Sequence, residues 1–206
     1  MITPTPRFGS DQDDPDAVWP DPLALLALWL PQPEGESRPL MTLSTIDADG
    51  YPDSRSVLLS GYDGAAAYFH TDVRSRKVAE LAADPRVSLL LVWPELGRQV
   101  VIQGDATPTS EDDAAQVYAE RSRYLQLLAW TNNADSAALP TEMRRERWAA
   151  FADQHPDGSL SAPATWIGYR VLPRRITFWR GDPAGPSTRV EYLRSGDSWL
   201  STRLPG

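Results

Sequence analysis

The stretch "LMTLSTIDADGYPDSRSVLLSGYDGAAAYFHT" holds two Asp-Gly pairs, Asp49-Gly50 and Asp63-Gly64, each set between short runs rich in Leu, Val, Thr and aromatic residues. An Asp-Gly pair adopts the positive-φ backbone that reverses a chain within two residues, so the runs on either side fold back as neighbouring strands. The stretch therefore predicts three antiparallel strands in a meander. The second carries a cation, Arg55, into the apolar run Val57, Leu58, Leu59.

The same pattern returns further on. "RVSLLLVW" and "RQVVIQGDAT", joined by "PELG", read as two more strands, apolar enough to be buried on both faces. "TWIGYRV", "RRITFWR", "VEYLR" and "SWLSTRL" add four in the C-terminal third. Helices are fewer. "DPLALLALWL" offers Asp21 as N-cap and Pro22 at the first helical position, with Leu23, Leu26 and Leu30 on one stripe. "SRKVAELAADP" is a short helix stopped by Pro85, Ser110 with Asp113 resembles a capping box, and "TEMRRERWAAFADQ" carries Met143, Trp148 and Phe151 among charges. Residues 60–64, 117–139 and 180–188 read as loops.

Many strands with a few inserted helices, and no GxGxxG or P-loop, predict a mainly β (α+β) fold: an antiparallel barrel with peripheral helices. Residues 1–20, rich in Pro and Asp, are expected to form a flexible acidic arm ending at Trp19, and 21–206 a single domain.

Charge and composition narrow the partners. A net charge of -8 argues against nucleic acid or an anionic membrane surface, which need a broad basic face. Any anionic ligand must then be held by a local cluster. The absence of cysteine removes disulfide and thiolate chemistry, and two histidines, His70 and His155, are too few for a transition-metal centre, so no metal is expected. No apolar run approaches the ~20 residues of a membrane span and no leader pattern opens the chain, so a soluble cytoplasmic protein is expected.

Several side chains stand out by position. Arg55 precedes the apolar run, and Arg76 and Lys77 lie in the first turn of a helix, where free amides and the helix dipole favour a phosphate. Gln99 sits inside a strand, and Trp179 and Arg189 bracket a Gly/Pro-rich loop. Each also has an ordinary reading: an edge charge, a solvated pair, a strand amide bonded to its neighbour, a core tryptophan, an exposed arginine.

The ordered series "TIDADGYPDSRSVLLSGYD", "YFHTDVRSRKVAEL", "DPRVSLLLVWPELGRQVVIQG", "PATWIGYRV" and "ITFWRG" resembles the pyridoxamine 5'-phosphate oxidase family of FMN-binding split barrels, over roughly residues 21–206. The resemblance implies a homodimer built on an antiparallel split barrel of about six to eight strands, with FMN at the dimer interface. Arg55, Ser56 and the backbone of Val57, Leu58 and Leu59 would lie against FMN, with His70 and Thr71 lining the same site. Arg76 and Lys77 would hold its phosphate, Gln99 would reach the ring, and Trp179 and Arg189 would close the site from the second subunit. No protein residue is assigned as catalytic, because the flavin carries the chemistry.

The substrate half departs from the family. The lysine expected after "VLL" is Ser60. The helical tyrosine, arginine and serine fall on Val117, Arg121 and Leu125, with Tyr118 one position away, and the loop "RLH" falls on Gly185, Pro186 and Ser187. Substrate is thus expected against Ser60, Arg121, Leu125 and Ser187. A serine within "SGYD" is also similar to the phenazine-biosynthesis oxidases of the family. The expectation is an FMN-dependent oxidase that moves a hydride from a small reduced or amine-bearing aromatic to the flavin N5 and then to O2, giving H2O2, in secondary metabolism rather than B6 synthesis. The alternatives are a genuine pyridoxamine/pyridoxine 5'-phosphate oxidase, with Arg123 or Arg180 replacing the missing cations, or a low-turnover flavin-binding protein. A deazaflavin in place of FMN is a further alternative, against which the set Arg55, Arg76, Lys77 and Gln99 argues.

Overall fold

The computed structural model describes residues 18–30, 38–156, 158 and 160–206. The first helix, α1 (Pro22–Trp29), begins as its sequence demands: the Asp21 carboxylate accepts from the Leu23 amide at 2.9 Å. Pro22, Leu25, Leu26 and Trp29 are its buried residues and Leu30, at its C-cap, is buried with them; of the expected stripe Leu23, Leu26 and Leu30, only Leu23 is partly covered. Trp29 draws the helix round by packing edge-on against Phe178 at 5.0 Å. Of the expected acidic arm, residues 1–17 lie outside the described residues, and Trp19 packs against the core.

Nine strands follow: β1 (Leu40–Ile46), β2 (Pro52–Leu58), β3 (Gly61–Tyr62), β4 (Ala67–Asp72), β5 (Arg86–Trp93), β6 (Arg98–Pro108), β7 (Trp166–Arg180), β8 (Thr188–Ser195) and β9 (Ser198–Leu204). They form one antiparallel sheet ordered β2-β1-β5-β6-β7-β4-β3, with β8 and β9 added beside β7. The Asp49-Gly50 reversal does join β1 to β2, with Gly50 at φ 85. The meander stops there. β2 is an outer edge of the sheet, and the Asp63-Gly64 turn closes a separate hairpin, β3 with β4, whose other neighbour is β7. The crossing is at Leu59 and Ser60. Leu59 is buried, and the two amides donate to Pro39 and Tyr68 carbonyls at 2.9 and 2.7 Å.

β5 and β6 alternate rather than being buried on both faces: Val87, Leu89, Leu91, Val100 and Ile102 point into the core, while Ser88, Leu90, Val101 and Gln103 are half-buried and Val92 is exposed. Among the described residues one face of these strands is packed and the other carries no layer of its own.

"TWIGYRV" and "RRITFWR" prove to be one strand, β7, not two. A proline normally ends a central strand because it cannot donate to the ladder. Here Pro173 sits where the β6–β7 register shifts between Gln103 and Gly104. A side chain at 104 would collide with the Leu172 carbonyl, so only glycine lets the two backbones meet at this bulge. On its other edge β7 pairs with β4 before Pro173 and with β8 after it, which splits the sheet into two lobes.

Helix α2 (Arg76–Ala83) packs on β1 and ends before Pro85. α3 (Glu111–Ala119) opens at Ser110, whose hydroxyl accepts from the Asp113 amide at 3.1 Å. Residues 117–139 are not a loop: they hold the end of α3, then α4 (Arg123–Thr131) and α5 (Ala134–Ala137), before α6 (Thr141–Gln154). Among the described residues no helix is long and apolar enough to cross a membrane, and no three His, Cys, Asp or Glu converge as metal ligands.

Candidate functional site

The strand β2 carries Asp53, Arg55 and Val57 on the side that faces the core of β1, where they register against Thr45, Leu43 and Met41. The N-terminal turn of α2 sits over the same edge and brings three cations together. Arg55 donates to the Glu80 and Asp53 carboxylates at 2.7 Å each, and to the Thr45 hydroxyl. Arg76 meets Asp53 at 2.7 Å and Glu80 at 3.5 Å. Glu80 is 5% exposed, and Thr45 donates to it at 2.5 Å. A buried carboxylate of this kind requires such partners.

Lys77 is different. Its Nζ donates to the Thr71 hydroxyl at 3.1 Å, and among the described residues it has no carboxylate partner. Burial, and then the neighbouring Arg55 charge, push its pKa down. Thr71 lies 3.3 Å from the Ser75 hydroxyl, and Ser75, at the N-cap of α2, makes no side-chain capping bond. Arg55, Arg76 and Lys77 against Asp53 and Glu80 leave one net positive charge, beside two hydroxyls and an uncapped helix start. That donor set fits a phosphate. Because β2 is a sheet edge, the backbone from Ser56 to Leu58 also leaves donors and acceptors facing outward.

Ser60 begins a second group. It is buried, its carbonyl accepts from Arg38, and its hydroxyl accepts from Arg121 at 3.1 Å. The Arg121 guanidinium stacks 4.4 Å over the Trp166 ring, and its Nε is buried without a partner. Burial, then Arg38, lower its pKa to about 10. The cation beside Arg121 is thus Arg38, not Arg123 or Arg180. Arg123 donates to the Ala152 carbonyl at 3.2 Å, and Arg180 lies over Trp29. Tyr118 is also committed elsewhere, bonded to the Gln126 carbonyl and to Trp130. A cavity of about 380 Å³ opens at Ser60, lined also by His70, Tyr68, Gln116 and Val117 and, toward its rim, by Asp63, Asp113 and Glu120, with Arg121 reaching it through the Ser60 hydroxyl. Leu125 stands half-buried on α4.

His70 lies in this wall, 9% exposed and stacked on Trp166 at 5.4 Å, with neither ring nitrogen hydrogen-bonded. Burial, with Arg121 and Arg38 nearby, pushes its pKa down to about 4 from 6.5. The unfolded chain takes up this proton near pH 6.5 and the folded chain only near pH 4. Stability therefore rises with pH across that window and this contribution is flat outside it. The folded state is expected to lose about 3 kcal/mol between pH 6.5 and 4 through His70. Urea midpoints at pH 7 and 4.5 should therefore differ more for the native chain than for His70→Gln.

Gln99, Trp179, Arg189 and Ser187 lie at the other end of the sheet. Gln99 pairs with Trp179, and Trp179 with Arg189 across β8. Gln99, Trp179 and Arg189 line a cavity of about 150 Å³ with Trp93 and Gly97, and Ser187 precedes β8. β7 itself measures the separation: Gly168 pairs with His70 and Trp179 with Gln99, and this stretch has a contour of about 36 Å. The expected site residues thus fall into three groups: Arg55, Arg76, Lys77 and Thr71 at the start of α2, Ser60, His70 and Arg121 at the larger cavity, and Gln99, Trp179 and Arg189 at the far end of β7 from His70.

Sequence reasoning missed Asp53, Glu80, Trp166 and Arg38. Glu80 carried a signal, its i,i+4 spacing from Arg76; Arg38 carried none.

Residues 33–162 match the family model described as pyridoxamine 5'-phosphate oxidase, and residues 166–205 match that of the pyridoxine 5'-phosphate oxidase C-terminal dimerisation region. The chain is 37% identical over 188 residues to a pyridoxine/pyridoxamine 5'-phosphate oxidase of Caulobacter vibrioides, covering 89% of this chain and 84% of that one. The like-named protein of Rubrobacter xylanophilus is 37% identical over 201 residues, covering 96% and 91%. PhzG from Burkholderia lata, solved with tetrahydrophenazine-1-carboxylic acid, superposes with a TM-score of 0.78 at 28% identity, covering 93% of this chain and 98% of that one.

Proposed function

Because this chain belongs to the pyridoxamine 5'-phosphate oxidase family, we propose that it is a cytoplasmic FMN-dependent oxidase acting on a small reduced aromatic substrate that bears an anionic group, in secondary metabolism rather than B6 synthesis. Residues 21–206 act as one cofactor-binding unit. FMN, when bound, supplies a two-electron acceptor that O2 reoxidises to give H2O2.

The chain's own groups do the rest. Lys77, Thr71 and the start of α2 hold the cofactor phosphate, and Glu80 and Asp53 fix the Arg55 guanidinium beside it. The outward edge of Ser56, Val57, Leu58 and Leu59 supports the ring. Gln99, Trp179 and Arg189 come from a second copy, since within one chain they lie at the far end of β7, and the match of β7 to β9 to a dimerisation region supports this. His70, held neutral by burial, presents no charge to the substrate at pH 7.

One observation carries the choice of substrate: where the family resemblance expects a lysine for a substrate phosphate, the cavity is lined by Ser60, and Val117 in its wall stands where a further polar donor is expected. Each charge-assisted bond lost weakens phosphate binding by about 10- to 100-fold. The names of the 37%-identical relatives favour a second reading, oxidation of the B6 phosphates themselves. Anaerobic addition of a substrate to the FMN-loaded protein separates the two. Tetrahydrophenazine-1-carboxylate is expected to bleach the flavin absorbance faster than pyridoxamine 5'-phosphate, and aerobic turnover should release H2O2. Faster bleaching by pyridoxamine 5'-phosphate would establish the second reading, and bleaching by neither would leave a flavin-binding protein of low turnover.

A further inference from the structure

We propose that Arg38 is the second cation of the substrate-anion site, standing in for the charge that Ser60 lacks and setting which aromatic anion the site accepts. The inference rests on the oxidase reading above. Its basis is the strand register. β1 and β2 pair Leu40 with Leu58, and the ladder runs on past the assigned strands: the Leu59 amide donates to the Pro39 carbonyl at 2.9 Å. The next opposed pair is Arg38 and Ser60. Directly opposed residues of an antiparallel pair project to the same face about 5 Å apart. A cation at 38 therefore enters the space that a lysine at 60 would enter, from the neighbouring strand.

The surroundings agree. Two guanidiniums converge on Ser60, Arg38 at its carbonyl and Arg121 at its hydroxyl. Among the described residues neither has a carboxylate partner, and the Arg121 Nε is buried with no partner at all. Uncompensated guanidiniums in a buried wall are costly unless an anion joins them. A lysine is a compact point charge, whereas a guanidinium is a planar fork that matches two oxygens side by side. Moving the charge from position 60 to 38 thus changes the kind of group as well as its origin: the anion is gripped by a fork from the neighbouring strand in place of a point charge beside the flavin strand.

Calorimetric titration of the FMN-loaded protein tests this, with phenazine-1-carboxylate and pyridoxamine 5'-phosphate as the two probes. Arg38→Ala is expected to weaken phenazine-1-carboxylate about 10- to 100-fold while leaving FMN affinity unchanged, which also reports that the fold is intact. Arg38→Lys should recover part of the loss. The double variant Arg38→Ala, Ser60→Lys should recover anion binding with its preference moved toward pyridoxamine 5'-phosphate. Unchanged phenazine-1-carboxylate binding in Arg38→Ala would overturn the assignment alone. Failure of the native protein to bind either probe, with FMN retained, would overturn both the assignment and the substrate reading.

Discussion

Lys77→Met is expected to lower FMN affinity by about one to two orders of magnitude, while Arg76→Met lowers it no more than about threefold. The two residues are adjacent in sequence and equal in charge, so the difference must come from their surroundings. Arg76 is 77% exposed and already joined to Asp53 at 2.7 Å; its field is largely cancelled before a ligand arrives. Lys77 is half-buried, donates to Thr71, and among the described residues makes no ion pair, with Glu80 and Asp72 acting on it only from a distance. A phosphate that reaches it gains a charge-assisted bond in a poorly screened setting, and methionine keeps the length of the side chain without the charge. Quenching of FMN fluorescence on titration with protein reads both affinities. Equal losses for the two variants would mean that net charge at the start of α2, rather than the particular contact of Lys77, holds the cofactor.

Much of this was legible in the chain because the signals are local. The Asp49-Gly50 reversal, the Asp21 cap, the Ser110 cap and the Pro85 stop each depend on a few neighbouring residues, and each appears in the fold where its chemistry requires. What stayed hidden depends on residues far apart in sequence. Pro173 reads as a strand break until Gly104, on another strand, is seen to make room for a bulge opposite it. β5 and β6 read as buried on both faces because Leu90 and Val101 are apolar, yet the described residues place no layer over that face. α4 buries only Leu127 and its N-cap Ser122 makes no capping bond, so neither a broad stripe nor a cap marks it.

The site followed the same division. Arg76 and Lys77 were readable as a pair at a helix start, while the carboxylates that tell them apart, Asp53 and Glu80, come from β2 and from the next turn of α2. Ser60 was readable as a lost cation. That Arg38 restores a cation there follows only from the β1–β2 register.

The sharpest expected result concerns the residue groups near α2 and near β8. Lys77→Met damages the set near α2 and Trp179→Ala the set near β8, so each variant alone should form a dimer that binds FMN poorly at both of its sites. A mixed dimer of the two chains is expected to behave otherwise. If each site takes Lys77 from one chain and Trp179 from its partner, the mixed dimer contains one site with both defects and one with neither. Purified through two different tags, it should bind about one FMN per dimer with native affinity. The reason to expect this is that Trp179 and Gln99 meet at the end of β7 opposite to the one that pairs with His70 and Thr71, the latter bonded to Lys77, and that β7 to β9 match a dimerisation region. Were the site built within one chain, both sites of the mixed dimer would carry a defect, and no tight binding would return.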